Sequence, residues 1–125
     1  LTADTVVSID GKLLAKPADE EKAKEMLRRL SGRQHEVVTG FALSWGEQQR
    51  CQSVRSVVHM CALSEKLIHY YVSRFRPLDK AGAYGIQEFI GMAGVEKIEG
   101  CFYNIMGLPT QAVYATLSAF CHENH

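Results

Sequence analysis

The stretch HEVVTGFALSW (35–45), followed closely by RCQSVRSVVHMCA (50–62), decides the fold. Both are rich in β-branched residues, and in the second Val54, Val57 and Val58 interleave with polar residues, though not strictly. That is strand patterning, and the intervening Gly46-Glu47-Gln48-Gln49 reads as a turn. The pair is expected to form a long antiparallel hairpin.

Helices flank this hairpin. Upstream, residues 19–31 repeat Ala23, Met26, Leu27 and Leu30 at helical spacing, with acids leading and arginines trailing. The charge order suits the helix dipole, and Gly32 is placed to cap the end. Downstream, Ser64 caps a helix with Leu67, Ile68, Tyr71, Val72 and Phe75 on one face, stopped by Pro77. At the start, Val6, Val7 and Ile9 run into Asp10-Gly11, a hairpin signal, and Leu13 and Leu14 continue on the return strand. A three-residue loop sets position 4 opposite position 16; a two-residue loop sets Lys16 opposite Thr5. Toward the end, VEKI (95–98) reads as a strand, CFYNIMGLP (101–109) turns at Gly107, and Pro109 opens a last helix through about Phe120. The tail CHENH is expected to fray, with His122 and His125 a tail pair rather than ligands. Strands and helices mix through hairpins rather than regular crossovers. The expected class is α/β, one domain over residues 1–125, with helices on a mixed sheet.

Composition narrows the partners. The 125 residues are 46% hydrophobic and 22% charged, with fourteen basic residues balancing fourteen acidic ones. No global field favours nucleic acid or an anionic membrane, so a polyanion must be recognised at a local site. No apolar run approaches the ~20 residues of a membrane span. Cys51, Cys61, Cys101 and Cys121 form no CxxC pair, which argues against structural zinc and for buried, reduced thiols in a cytoplasmic protein. The chain opens LTADTVVSID, without Met and already strand-like, as the continuation of something longer would.

The familiar phosphate and nucleophile devices are absent: GxxxxGKS/T, GxGxxG before a helix, and GxSxG. What remains is a set of polar groups at element ends and in glycine-rich turns. It comprises Asp4 and Thr5, Lys16, the Ser31-Gly32-Arg33 turn, Thr39-Gly40, Lys80, Gln87 and Asn104. Phosphoanhydride hydrolysis uses such groups: lysines offset triphosphate charge, a carboxylate binds a cation or activates water, and glycines let backbone N–H groups approach oxygen. Each also has a plainer reading, as a strand end, a solvated lysine or a loop tie. Tyr84 reads more readily as packing than as stacking, and His35, His59 and His69 show no partner pattern.

Taken in order, ADTVV (3–7), LAKP (14–17), DEEKAKEML (19–27), LSGRQHEVVTG (30–40), DKAGAYGIQ (79–87) and GLP (107–109) resemble the Maf-like nucleotide pyrophosphatase family. The resemblance covers essentially the whole chain. ADT and AYGIQ are similar to the branch acting on dTTP and UTP rather than on 7-methyl-GTP. The resemblance implies a twisted mixed sheet flanked by helices around a deep cleft, as in inosine triphosphatases, and a homodimer. It implies hydrolysis of a pyrimidine nucleoside triphosphate to the monophosphate and pyrophosphate with magnesium or manganese. It points to Asp4 as proton acceptor and metal ligand, with Lys16 as the second catalytic residue. Thr5 and Gln87 match positions that govern the choice of base, and Lys80, like Lys16, a lysine of the substrate pocket. Family members also open with a strand and an SxSPRR-like phosphate loop, then a glutamate and a lysine, and these 125 residues contain none of them. The expectation is therefore a chain without that N-terminal segment, with apolar surface where the segment docks. The alternative is a protein that binds nucleotide without turning it over.

Overall fold

The computed structural model describes residues 1–123. Strand β1 (Thr2–Ile9) turns at Asp10-Gly11 into β2 (Lys12–Leu14), with Ile9 paired to Lys12. Both turn residues have positive φ, 52° and 75°, the backbone that a tight hairpin with right-handed strand twist requires. The two-residue loop is thus the realised one, and its register continues toward Thr5 opposite position 16.

Helix α1 (Glu20–Leu30) starts where the Asp19 carboxylate accepts from the Lys22 N–H at 2.8 Å. It buries Ala23, Leu27 and Leu30, and Gly32 follows its end at φ 68°. Strands β3 (Gln34–Trp45) and β4 (Gln48–Met60) form the expected hairpin, but their turn is only Gly46-Glu47. Gly46 at φ 61° closes the chain in two residues, so Gln48 and Gln49 join the ladder instead of the loop. Period-two burial is clear in β3, where His35, Val37, Thr39, Phe41 and Leu43 all face inward.

Helix α2 (Glu65–Phe75) is capped by Ser64, whose hydroxyl accepts from the Leu67 N–H at 3.0 Å. Its inward face is narrower than the sequence suggests: Ile68, Tyr71 and Val72 are buried, whereas Phe75 is exposed. After a single 3-10 turn (Ala81–Ala83) come α3 (Phe89–Gly94), β5 (Val95–Glu99), α4 (Phe102–Met106) and α5 (Thr110–Glu123). The strand over VEKI is present. Neither α3 nor α4 is foreshadowed in the sequence, because six and five residues are too few to establish a helical period. Helix α5 carries Cys121 and His122 past the expected end at Phe120, and His125 lies outside the described residues.

The sheet order is β2-β1-β3-β4-β5 and every pairing is antiparallel. The α/β build is as expected, but no parallel strand of a mixed sheet occurs among the described residues. The helices join strands without a parallel crossover between neighbours. The core lies between one sheet face (Val7, Ile9, Leu14, Val37, Val58) and α1, α2 and α3 (Leu27, Leu30, Ile68, Tyr71, Ile90). Fully burying a side chain such as Leu27 contributes about 2 kcal/mol. Arg28 of α1 and Glu65 of α2 clamp the two helices through Nε and Nη2 at 2.8–3.1 Å. The pair is exposed, so water and salt screen it and packing of the buried faces, not this contact, holds the helices together.

The cysteines depart from expectation. All four are free thiols, but none is fully buried, and Cys51 is exposed on the outer half of β4. Residues 48–53 have exposed side chains on both faces of that strand, so no core is available to receive a thiol there. No helix among the described residues is long and apolar enough to cross a membrane.

Candidate functional site

A cavity of about 280 Å³ opens beside β1, and Asp4, Thr5, Lys16, Lys80 and Gln87 all line it. Residues separated by as much as 83 positions in sequence thus share one space, because two differently built walls meet there.

The first wall is strand. Pairing of β1 with β3 runs from Thr2↔Ala42 to Ser8↔Glu36 and sets Asp4 opposite Gly40 and Thr5 opposite Thr39. The Asp4 carboxylate makes no hydrogen bond or ion pair among the described residues. The Thr5 hydroxyl lies 2.9 Å from the Thr39 hydroxyl and donates to the Gly107 carbonyl at 3.2 Å. Thr39 and Asn104 are fully buried behind it, with the Asn104 amide donating to the Val37 carbonyl and the Ser56 hydroxyl.

The second wall is the loop at 79–87. Arg76 enters the left-handed region at φ 45° and closes α2 before Pro77. Gly82 has φ 74°, and a Cβ there would stand 3.0 Å from Val7 Cγ1, so glycine lets the loop lie directly on β1. Ala83 follows at φ 67°, an unfavourable backbone for a residue with a Cβ.

Side chains from elsewhere hold this loop. The Tyr84 hydroxyl meets His35 Nε2 at 2.6 Å, edge to face. The Gly85 N–H donates to the Tyr71 hydroxyl at 3.2 Å, which donates to Glu88 Oε1 at 3.2 Å. Lys80 Nζ sits between Asp79 at 3.3 Å and Glu88 at 3.4 Å.

Titration follows these contacts. Burial pushes both tyrosine hydroxyls well above their ordinary range. The Lys80 hydrogen bond holds the Asp79 carboxyl below the usual value. Burial pulls the Lys80 ammonium down, but Asp79 and Glu88 outweigh it and raise it overall. Burial, with His59 nearby, lowers His35 from 6.5 to about 4, so its ring is neutral at pH 7.

The residues that line the cavity bring two ammonium groups, an unpaired carboxylate and an amide to one place. Among the described residues no three His, Cys, Asp or Glu side chains cluster as a self-sufficient metal cage. The donor set instead suits a hard cation that keeps its waters and phosphate ligands and takes one carboxylate from the protein, and Asp4 is the free one.

Other candidates fall elsewhere. The Ser31-Gly32-Arg33 turn does not reach the cavity: Arg33 is bound to Asp10 at 2.6 and 2.7 Å, and Ser31 accepts from the Leu63 N–H. Arg33 lines a larger hollow of about 430 Å³ at the β1–β2 turn. That hollow gathers none of the lysines, and its arginine is already paired, so size does not identify the site. Tyr84 packs in the core, as expected, and also lines the cavity. Tyr71, Glu88 and the tie from Tyr84 to His35 also serve this site, and none has a spacing signal in the sequence. Met106 and Gly107 also line the cavity, and only GLP hinted at them.

Fold and cavity together define a class: an α/β protein with a polar cleft between a strand and a glycine-rich loop. Residues 1–120 match the Maf-like protein family, and the chain belongs to it. Over 124 residues it is 52% identical to a dTTP/UTP pyrophosphatase of Porphyromonas gingivalis strain W83, covering 99% of this chain and 62% of that protein. It is 54% identical over 117 residues to a dTTP/UTP pyrophosphatase of Bacteroides thetaiotaomicron, covering 94% of this chain and 61% of the relative. A dTTP/UTP pyrophosphatase of Cytophaga hutchinsonii is 49% identical over 109 residues, covering 87% of this chain and 50% of that protein. The chain thus spans about three fifths of the length of the first two relatives.

Proposed function

We propose that the protein hydrolyses a pyrimidine nucleoside triphosphate, dTTP or UTP, to the nucleoside monophosphate and pyrophosphate. Water adds to the α-phosphorus, the bond from that phosphorus to the bridging oxygen breaks, and pyrophosphate leaves with the electron pair. Asp4 accepts the proton of the attacking water. Lys16 and Lys80 offset phosphate charge, Lys80 exchanging its contacts to Asp79 and Glu88 for phosphate oxygens. Gln87 offers a donor and an acceptor to the pyrimidine edge, and Thr5 a hydroxyl. A divalent cation such as magnesium or manganese, held by Asp4, would supply charge neutralisation at the phosphoryl oxygens.

The reading is supported above all by one cavity holding all five residues, and further by the names of relatives about half identical to this chain. A small nucleotide, rather than nucleic acid, is the partner that the balanced charge favours. A cytoplasmic homodimer belongs to the same proposal, the compartment supported by four free thiols.

Pyrophosphate release from dTTP and UTP with magnesium, by the full-length gene product, tests the function. The Asp4→Asn variant is expected to lose roughly a hundredfold or more in turnover while unfolding at the same temperature. An Asp4→Asn protein as active as the parent removes Asp4 as the base. Calorimetric binding of dTTP without turnover by the parent protein would make it a binding protein instead.

A further inference from the structure

Behind Thr5 lies a short chain of groups whose protons can be counted. Two hydroxyls, Thr5 and Thr39, carry one proton each. They are 2.9 Å apart, with the Gly107 carbonyl 3.2 Å from Thr5 and the Asn104 carbonyl 3.3 Å from Thr39. In one arrangement Thr39 donates to Thr5, and Thr5 donates to Gly107. In the other Thr39 donates to Asn104, and Thr5 donates to Thr39. If both donated outward to the carbonyls, two oxygens at 2.9 Å would face each other with no proton between them, which is unfavourable. Either way, the proton of Thr5 stays within the protein, and only a lone pair is left for the cavity.

The positions of these partners are themselves fixed. Thr39 is fully buried on β3, directly opposite Thr5 in the ladder. Gly107 follows α4, which the buried Asn104 amide ties to β3 through the Val37 carbonyl at 3.2 Å and to β4 through the Ser56 hydroxyl at 2.9 Å.

Resting on the nucleotide reading above, we propose that Thr39 is a positioning residue for base choice: with the Gly107 carbonyl it locks Thr5 as a hydrogen-bond acceptor toward the ligand. An acceptor favours a ring that presents an N–H, as uracil and thymine do at N3. Cytosine presents an unprotonated nitrogen there, and two lone pairs would meet. To bind cytosine, Thr5 must turn its proton outward and give up an internal hydrogen bond.

The experiment compares UTP with CTP in the full-length gene product. The readouts are kcat/KM for both, calorimetric Kd for UMP and CMP, and thermal unfolding. In Thr39→Val, the Thr5 proton keeps only the longer contact to Gly107, and the UTP-to-CTP preference is expected to fall by at most about fivefold, the upper worth of the one hydrogen bond removed. Thr39→Ser keeps the hydroxyl and is expected to hold the parental ratio. Loss of activity on both nucleotides in equal proportion, or an unmoved ratio in Thr39→Val, overturns the lock while leaving the pyrophosphatase reading intact. A parent protein that neither binds nor turns over pyrimidine nucleotides overturns both.

Discussion

The two walls of the cavity are held by different means. Asp4 and Thr5 stand on a strand fixed by seven successive pairings to β3, so the backbone itself sets their positions. Lys80 and Gln87 stand on a loop with left-handed residues at Gly82 and Ala83, fastened by Tyr84 to His35, Tyr71 to the Gly85 N–H and Glu88 to Lys80. Backbone pairing distributes its support over many groups, whereas the loop depends on a few buried side chains. A single substitution should therefore do little to the first wall and much to the second.

The sharpest test sets two glycines against each other, beginning with the loop side. A Cβ on Gly91, in α3, would fall inside the carbonyl oxygen of Ile86, the residue before Gln87. Gly91→Ala is expected to lose about 3 kcal/mol or more, read by urea unfolding, because backbone rather than a flexible side chain stands in the way.

Next in size is the pH response of the anchor under the loop. His35 is held near 4 in the fold and lies at 6.5 when free, so between those values the unfolded chain binds more protons. Stability must then fall as pH drops through that window, by about 2 kcal/mol from pH 7 to pH 4.5. His35→Gln should flatten that slope; an equal slope in parent and variant would detach the loop from this residue.

The smallest effect belongs to the strand wall. Gly40 pairs with Asp4, and a Cβ there would come no closer than 4.0 Å, to the Gln52 carbonyl. Gly40→Ala should move stability by no more than about 0.5 kcal/mol. If Gly40→Ala proves as damaging as Gly91→Ala, the contrast between the walls is false.

The strand wall was also the more legible one. The Asp10-Gly11 turn, the alternation of β3 and the Ser64 cap are local patterns, each visible within a few residues. His35 shows why the loop wall was not: its partner Tyr84 is 49 residues away, and nothing in HEVV (35–38) announces a tyrosine. His59 likewise meets Glu99 across 40 residues. Helix α4, too short to show a period, went unread, and with it the seating of Gly107 and Asn104 against Thr39 and Thr5. The five residues expected in the cavity came from resemblance to a family; composition and spacing alone left each of them with a duller reading.

The bond from Thr5 to the Gly107 carbonyl spans 102 positions. During synthesis, a nascent chain that has completed β1, α1 and the β3–β4 hairpin still lacks this side of its pocket. Closure must wait until the ribosome has released the segment around Gly107, and the ordering of so distant a contact slows the final stage of folding. A protease that cuts the chain before that glycine would take away the carbonyl to which Thr5 donates, and with it one side of the pocket.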